Sequence, residues 1–267
     1  MQAQSYIPFT KEMKKEYTIL MPTMLPRHFE LIGSVLGTYG YKMELLKTAG
    51  QKVVDAGLRY VHNDACYPAV LVIGQFLEAI TSGRYDPHKV ALILFQTGGG
   101  CRASNYISLL RKALARAGYD YVPVISFSLA GLEHHPGFTL GVSEYHGMAY
   151  AVLYGDLLLT LVNQTKPYEV RKGDAETLAE RWTARLGKEL GAGRHIRYSE
   201  VQKTYSRIVA DFAAIPKREK ETVKVGIVGE IYIKYSPLGN NSLEKFLAEQ
   251  QCEVKLPGMM GFMLYCV

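Results

Sequence analysis

The 267-residue sequence predicts an α/β protein: a parallel-sheet domain, then a helical segment, then the start of a second α/β domain. Three observations carry this. Short apolar runs such as Val90-Ala91-Leu92-Ile93-Leu94-Phe95 have the length and β-branched content of buried parallel strands. The stretches between them repeat apolar residues at helical spacing, and strand, helix and strand in that rhythm indicate βαβ units. After a long charged segment the same rhythm resumes at Val223-Lys224-Val225-Gly226-Ile227-Val228.

The elements follow in order. Residues 1–16 are a polar lead-in ending in Lys11-Glu12-Met13-Lys14-Lys15-Glu16 and are expected to form a surface arm. The first α/β domain is expected over 17–165. It opens with the strand Tyr17-Thr18-Ile19-Leu20-Met21, a turn between Pro22 and Pro26, and a helix from Arg27 that turns Phe29, Ile32, Val35 and Leu36 inward and stops near Gly40. Tyr41-Lys42-Met43-Glu44-Leu45-Leu46 is the next strand, and 51–58 a short helix. A helix then follows Cys66, its first turn marked by Pro68, with Val70, Ile73, Leu77 and Ile80 on one face. The strand at Val90 leads through glycines into a helix carrying Ile107, Leu110, Leu114 and Ala117. Tyr121-Val122-Pro123-Val124-Ile125-Ser126-Phe127 is a strand, 128–138 a loop and 143–161 a mostly apolar helix. Residues 166–221 read as a charged helical lobe and linker, with helices over 174–190 and 198–215. Residues 222–267 begin the second α/β domain: a strand at Val223, a helix from Asn241-Ser242 and a strand at Cys252-Glu253-Val254-Lys255-Leu256-Pro257. Some 45 residues of this pattern cannot cover both faces of a parallel sheet, so this domain is expected to be truncated or completed by another chain.

The candidate chemistry sits at one glycine hinge. In Gln96-Thr97-Gly98-Gly99-Gly100-Cys101-Arg102-Ala103-Ser104-Asn105 a thiol stands between a buried strand and a helix start, where the helix dipole favours an anion and draws a thiol toward thiolate. Cys66 repeats that context, a loop thiol just before a helix. In an open α/β sheet such loops lie at the carboxyl ends of the strands, where ligands bind. The other reading of each is a small buried hydrophobe, which suits Cys252 at the opening of an apolar strand. Gly98, Gly99 and Gly100 also suit a phosphate cradle, though without the Lys-Ser/Thr ending of a P-loop. His134-His135 offers acid/base or metal chemistry, or a structural pair. Glu230, at the end of a strand, is a candidate lining residue for a cleft between the α/β pieces.

Composition narrows the class. Thirty-one basic against 25 acidic residues give a formal charge of +6, without the dense basic and aromatic tract that nucleic-acid binding uses. No apolar run approaches the roughly 18 residues that span a bilayer, and the first residues lack the pattern of a signal peptide. Four scattered cysteines do not make a disulfide scaffold, and none form a CxxC pair. The chain is therefore expected to be cytoplasmic, with neither nucleic acid nor membrane as partner.

Five stretches together resemble the 2-hydroxyacyl-CoA dehydratase superfamily, in its branch of activase-related and double-cubane cluster proteins, relatives of benzoyl-CoA reductase subunits. They are Asn63-Asp64-Ala65-Cys66-Tyr67-Pro68, the hinge from Gln96 through Tyr106, Val122-Pro123-Val124-Ile125-Ser126, Gly229-Glu230-Ile231-Tyr232 and Phe262-Met263-Leu264-Tyr265-Cys266. The resemblance covers most of the chain from about Tyr17 onward. It implies flavodoxin-like α/β domains and an iron–sulfur cluster held by Cys66, Cys101 and Cys266, while Cys252 matches no ligand position. Gly98, Gly99, Gly100 and Glu230 would line the cleft. The implied cluster is a four-iron–four-sulfur centre, or two joined as a double cubane. An ATP-hydrolysing activator would supply the electron to a homodimer or hetero-oligomer acting on a CoA thioester or another small molecule. A non-catalytic cluster-bearing or scaffold subunit, and a metal-free phosphate-binding module, are the alternatives. Chains of that pattern continue beyond the Leu-Tyr-Cys motif, whereas this one stops one residue after it.

Overall fold

The computed structural model describes residues 6–62, 64–95, 102–127, 133–193 and 196–265. In chain order the elements are α1 (Lys11–Glu16), β1 (Thr18–Met21), α2 (Pro26–Thr38), β2 (Lys42–Leu45), α3 (Gln51–Tyr60), α4 (Tyr67–Thr81), β3 (Val90–Phe95), α5 (Tyr106–Ala117) and β4 (Val124–Phe127). They continue with α6 (Val142–Thr165), α7 (Asp174–Leu190), α8 (Tyr198–Ala213), β5 (Lys224–Gly226), α9 (Ile231–Tyr235), α10 (Leu243–Glu249), β6 (Glu253–Lys255) and α11 (Met259–Tyr265). Packing divides them into two units. One runs to Thr23 and resumes over Gly40–Thr139; the other is Met24–Tyr39 with everything from Leu140 onward. The boundaries expected at 16/17, 165/166 and 221/222 follow charge and periodicity; packing partitions the chain at other positions.

The chain is α/β. In the first unit a parallel sheet has the order β2-β1-β3-β4, with Thr18 opposite both Lys42 and Val90, and Leu92 opposite Val124. That order is consistent with a flavodoxin-like fold. The central strand β3 is buried from Val90 to Leu94, as a continuous apolar run requires. The edge strand β2 instead alternates, exposing Lys42 and Glu44, which discourages edge-to-edge pairing. β4 starts later than the apolar run suggests, because Pro123 has no N–H for the ladder; its carbonyl still accepts from Leu92 N–H at 2.9 Å.

Helix α4 is buried nearly all round rather than on one face, from Pro68 to Ile80. The reason is its packing between α3 and α5. α3 and α4 run antiparallel at very short range: a Cβ on Gly57 would lie 2.1 Å from the Val70 carbonyl oxygen, and one on Gly74 would lie 2.1 Å from that of Val53. Midway along α4, the buried Gln75 accepts from Thr23 N–H (3.0 Å) and donates to the carbonyls of Leu46 (3.3 Å) and Thr48 (2.8 Å). This one amide ties α4 to the residues just past the carboxyl ends of β1 and β2.

The polar lead-in is more ordered than an arm. α1 is capped by Thr10, whose Oγ1 accepts from Met13 N–H at 3.3 Å. Phe9 is fully buried; its N–H donates to His135 Nδ1 at 3.2 Å and its carbonyl accepts from Gly137 N–H at 2.7 Å. His135 is thus a structural histidine, 3% exposed, whose accepting Nδ1 requires the neutral ring. Burial holds its pKa below the ordinary value; Glu133 opposes this, and Arg111 and His134 add to it. The sign follows. The unfolded imidazole takes its proton at about pH 6.5, the folded one only at lower pH, so this stability is intact above about 6.5 and drains away as pH falls toward the depressed folded value. The urea midpoint of the wild type is expected to drop between about pH 7.5 and 5.5 more steeply than that of His135→Gln, whose amide oxygen still accepts from Phe9. Parallel slopes would show that His135 does not carry the pH dependence.

In the second unit α6 is apolar on several faces, and it packs against α2, α7, α8 and α11. Trp182 of α7 is buried and donates from Nε1 to Asp211 of α8 at 3.0 Å. β5 and β6 form a parallel pair with Val225 opposite Val254, each strand three residues long and shorter than the apolar runs around it. Among the described residues no helix is long and apolar enough to cross a membrane.

Candidate functional site

Cys66 sits at the turn between α3 and α4. Val61 caps α3, Ala65 N–H closes onto the His62 carbonyl (3.0 Å), and Cys66 takes an extended conformation as the N-cap of α4. Its carbonyl accepts from Ala69 (3.0 Å) and Val70 (3.3 Å), which starts the helix. Proline at the second helical position supplies no N–H, so the helix start offers a thiol mainly its dipole and few free donors. The sulfur finds a side chain instead. Cys66 Sγ lies 2.9 Å from Tyr106 Oη, and Tyr106 is the buried first residue of α5. Cys66 is a free, half-buried thiol.

That contact links the two cysteine motifs. Cys101 stands five positions before Tyr106 in the chain, and the strand ahead of it, β3, ends at Phe95. Cys101 itself, with Gly98, Gly99 and Gly100, lies outside the described residues. So does Cys266, which directly follows α11. Cys252, just ahead of β6, is half-buried, with its thiol 3.8 Å from the Gln250 carbonyl. Glu230 is exposed, and its carboxylate caps α9 by accepting from Ile233 N–H at 2.9 Å. Among the described residues no three His, Cys, Asp or Glu side chains are grouped as a metal ion would need.

No family model, curated protein or solved structure matches this chain. A half-buried thiol against a tyrosine hydroxyl suits a metal ligand, because the O–H can donate to the thiolate and fix its direction. His62, four residues before Cys66, is mostly exposed and accepts from Asp64 N–H at 3.3 Å, so its imidazole serves the turn.

In the second unit the structure adds a group that sequence reasoning did not single out. Asp156 of α6 accepts from His28 Nε2 (2.8 Å), Met259 N–H (2.7 Å) and Met260 N–H (2.9 Å). Two glycines make room for it: a Cβ on Gly155 would lie 2.5 Å from the His28 ring, and one on Gly258 would lie 2.6 Å from the carboxylate. Asp156 thereby fixes the start of α11, the helix that carries the chain to Cys266. The available signal was a lone aspartate in the apolar run Tyr154-Gly155-Asp156-Leu157-Leu158, where an unpaired carboxylate is too costly to bury.

Proposed function

We propose that this chain is a cytoplasmic iron–sulfur redox component of the kind its cysteine motifs imply, with Cys66, Cys101 and Cys266 as the thiolate ligands. What supports the reading is one contact, Cys66 Sγ to Tyr106 Oη, which brings the start of α4 and the start of α5 together at a free thiol. Cys66 fits a ligand: it is not engaged in a disulfide and is shielded on one side. When bound, the cluster supplies low-potential one-electron transfer, driven by an ATP-hydrolysing activator toward a CoA thioester or other small molecule. The protein's own part is definable. Cys66 Sγ holds iron, Tyr106 Oη donates to that sulfur and limits its rotation, and α3 and Gln75 hold α4 in place.

Anaerobic reconstitution with iron and sulfide tests this. The expected result is a coloured protein with stoichiometric iron and sulfide and an EPR signal on reduction, with most of the iron lost in Cys66→Ala. Reduction by ATP plus an activator then tests the partnership. A protein that stays colourless and iron-free, or a Cys66→Ala variant that keeps its iron, overturns the assignment and leaves the metal-free α/β reading.

A further inference from the structure

The two-stranded sheet of the second unit leaves one strand edge open. Glu253 N–H donates to the Val223 carbonyl at 2.9 Å and Ile227 N–H to that of Lys255 at 3.0 Å, so Val223, Val225 and Ile227 direct their backbone groups at β6. By alternation Lys224 and Gly226 turn their N–H and C=O the other way. Among the described residues nothing pairs with that edge: Lys224 and Gly226 are exposed, and a Cβ on Gly226 would meet nothing within 4 Å. Val223 shares a face with Val225 and Ile227, yet it is 69% exposed where Ile227 is 6% exposed. From Val223 to Val228 the edge carries one charge, Lys224, and no proline, and Val228 is 82% exposed. An undefended edge of this kind is a template for a further strand, and two strands alone fall short of the three or more that make a sheet stable.

We infer that the β5 edge is a dimerisation surface, on which β5 of a second copy pairs antiparallel about a two-fold axis at Val225 to give one continuous sheet, β6-β5-β5-β6. The residues of the edge choose both the occupant and the register. Outward-facing backbone groups must meet outward-facing ones, so the axis passes through a residue and not between two. Centred on Val225, Lys224 stands opposite the partner's Gly226, and each such pair exchanges two N–H···O=C bonds. Val223 stands opposite the partner's Ile227, which covers the exposed valine, and Val225 meets its own copy. Lys220 of each copy is carried toward Glu230 of the other, which places opposite charges together at both ends of the paired segment. The neighbouring registers lose this. Centred on Lys224, two lysines stand face to face; centred on Gly226, the pairing slides onto Gly229, where φ is 145° and the chain has left the strand. The edge is thus self-complementary, as an isologous contact requires. One strand pair buries less than the roughly 1,200 Å² of a standard interface, so the dimer is expected to be weak, with a Kd on the order of 10–100 μM.

Sedimentation equilibrium of the full chain, iron-free and in reductant so that neither a cluster nor a disulfide joins copies, tests the inference from about 2 to about 300 μM. Wild type is expected to pass from monomer to dimer within that range. Lys224→Pro removes an N–H that β6 does not use, so it spares the β5–β6 ladder while blocking the edge. It is expected to remain monomeric, with Trp182 fluorescence reporting that it is folded. Gly226 reads the register. A side chain there enters open space in the monomer but lies beside the partner's Lys224 in the dimer. Gly226→Glu is therefore expected to tighten the dimer about fivefold and Gly226→Lys to loosen it about fivefold. The same two changes at Val142, in α6 and 87% exposed, report the effect of net charge alone. A chain that stays monomeric throughout, a dimer that persists in Lys224→Pro, or a Glu-to-Lys difference no larger at Gly226 than at Val142 overturns the inference, whatever the outcome of the iron experiment.

Discussion

Gly74→Ala is expected to destabilise the protein by about 3 kcal/mol, although alanine is the better helix former by about 1 kcal/mol in isolation. Its Cβ would lie 2.1 Å from the Val53 carbonyl oxygen, 2.9 Å from Gly57 N and 3.1 Å from Gly57 Cα. All three are backbone atoms, so no rotamer change relieves them, and α3 must move away from α4. Gly37→Ala is the matching control: it lies in α2 with nothing within 4 Å of the new carbon, and it is expected to be neutral or stabilising by up to about 1 kcal/mol. Urea denaturation followed by far-UV circular dichroism reads both. Mass-spectrometric mapping of thiol labelling adds a local readout, because spreading α3 from α4 loosens the helix that presents Cys66, and labelling of Cys66 should quicken. A Gly74→Ala protein as stable as wild type, with Cys66 labelled at the wild-type rate, would mean that the two helices are not in this close contact.

The parts of the fold legible in the sequence are those built from local repetition. β3 falls on the run Val90–Phe95, and α7 occupies the expected 174–190, because an apolar strand or an amphipathic helix is written within a dozen neighbouring residues. Cys66 as a helix cap was legible for the same reason: Pro68 at the second helical position marks the start. What the sequence hid depends on partners far along the chain. Tyr106 meets Cys66 across 40 positions, and Asp156 meets His28 across 128. The lead-in looked purely polar because its anchor is one residue, Phe9, held by His135. Glu230 shows the opposite case. Read as the end of a strand, Gly229-Glu230-Ile231 suggested a carboxylate free to line a cleft; in the structure a short helix begins there and takes that carboxylate as its cap. Capping competes for the same residue types that binding sites use, and only the backbone decides which claim wins.

Asp156→Asn is expected to free α11 while leaving most of the second unit folded. The carboxylate now accepts three hydrogen bonds, two from the first turn of α11 and one from His28. Asparagine is the same size but has one oxygen and one NH2, so at least one of those N–H donors must then face another donor. Bonds to an ionised acceptor contribute about 1.5–3 kcal/mol each, which places the loss at about 3 kcal/mol. Asp156→Ala is expected to be worse, since His28 is only 2% exposed and would keep a buried ring nitrogen without a partner. Hydrogen exchange separates local from global effects. For Asp156→Asn the α11 amides should exchange about a hundredfold faster, while the urea midpoint reported by Trp182, which lies in α7, moves much less. Because α11 runs directly into Cys266, the variant should retain less iron after reconstitution than wild type without any ligand having been changed. Wild-type protection of the α11 amides in Asp156→Asn would remove Asp156 from this role, and wild-type iron retention by a variant whose α11 is demonstrably loosened would argue that Cys266 is not a ligand.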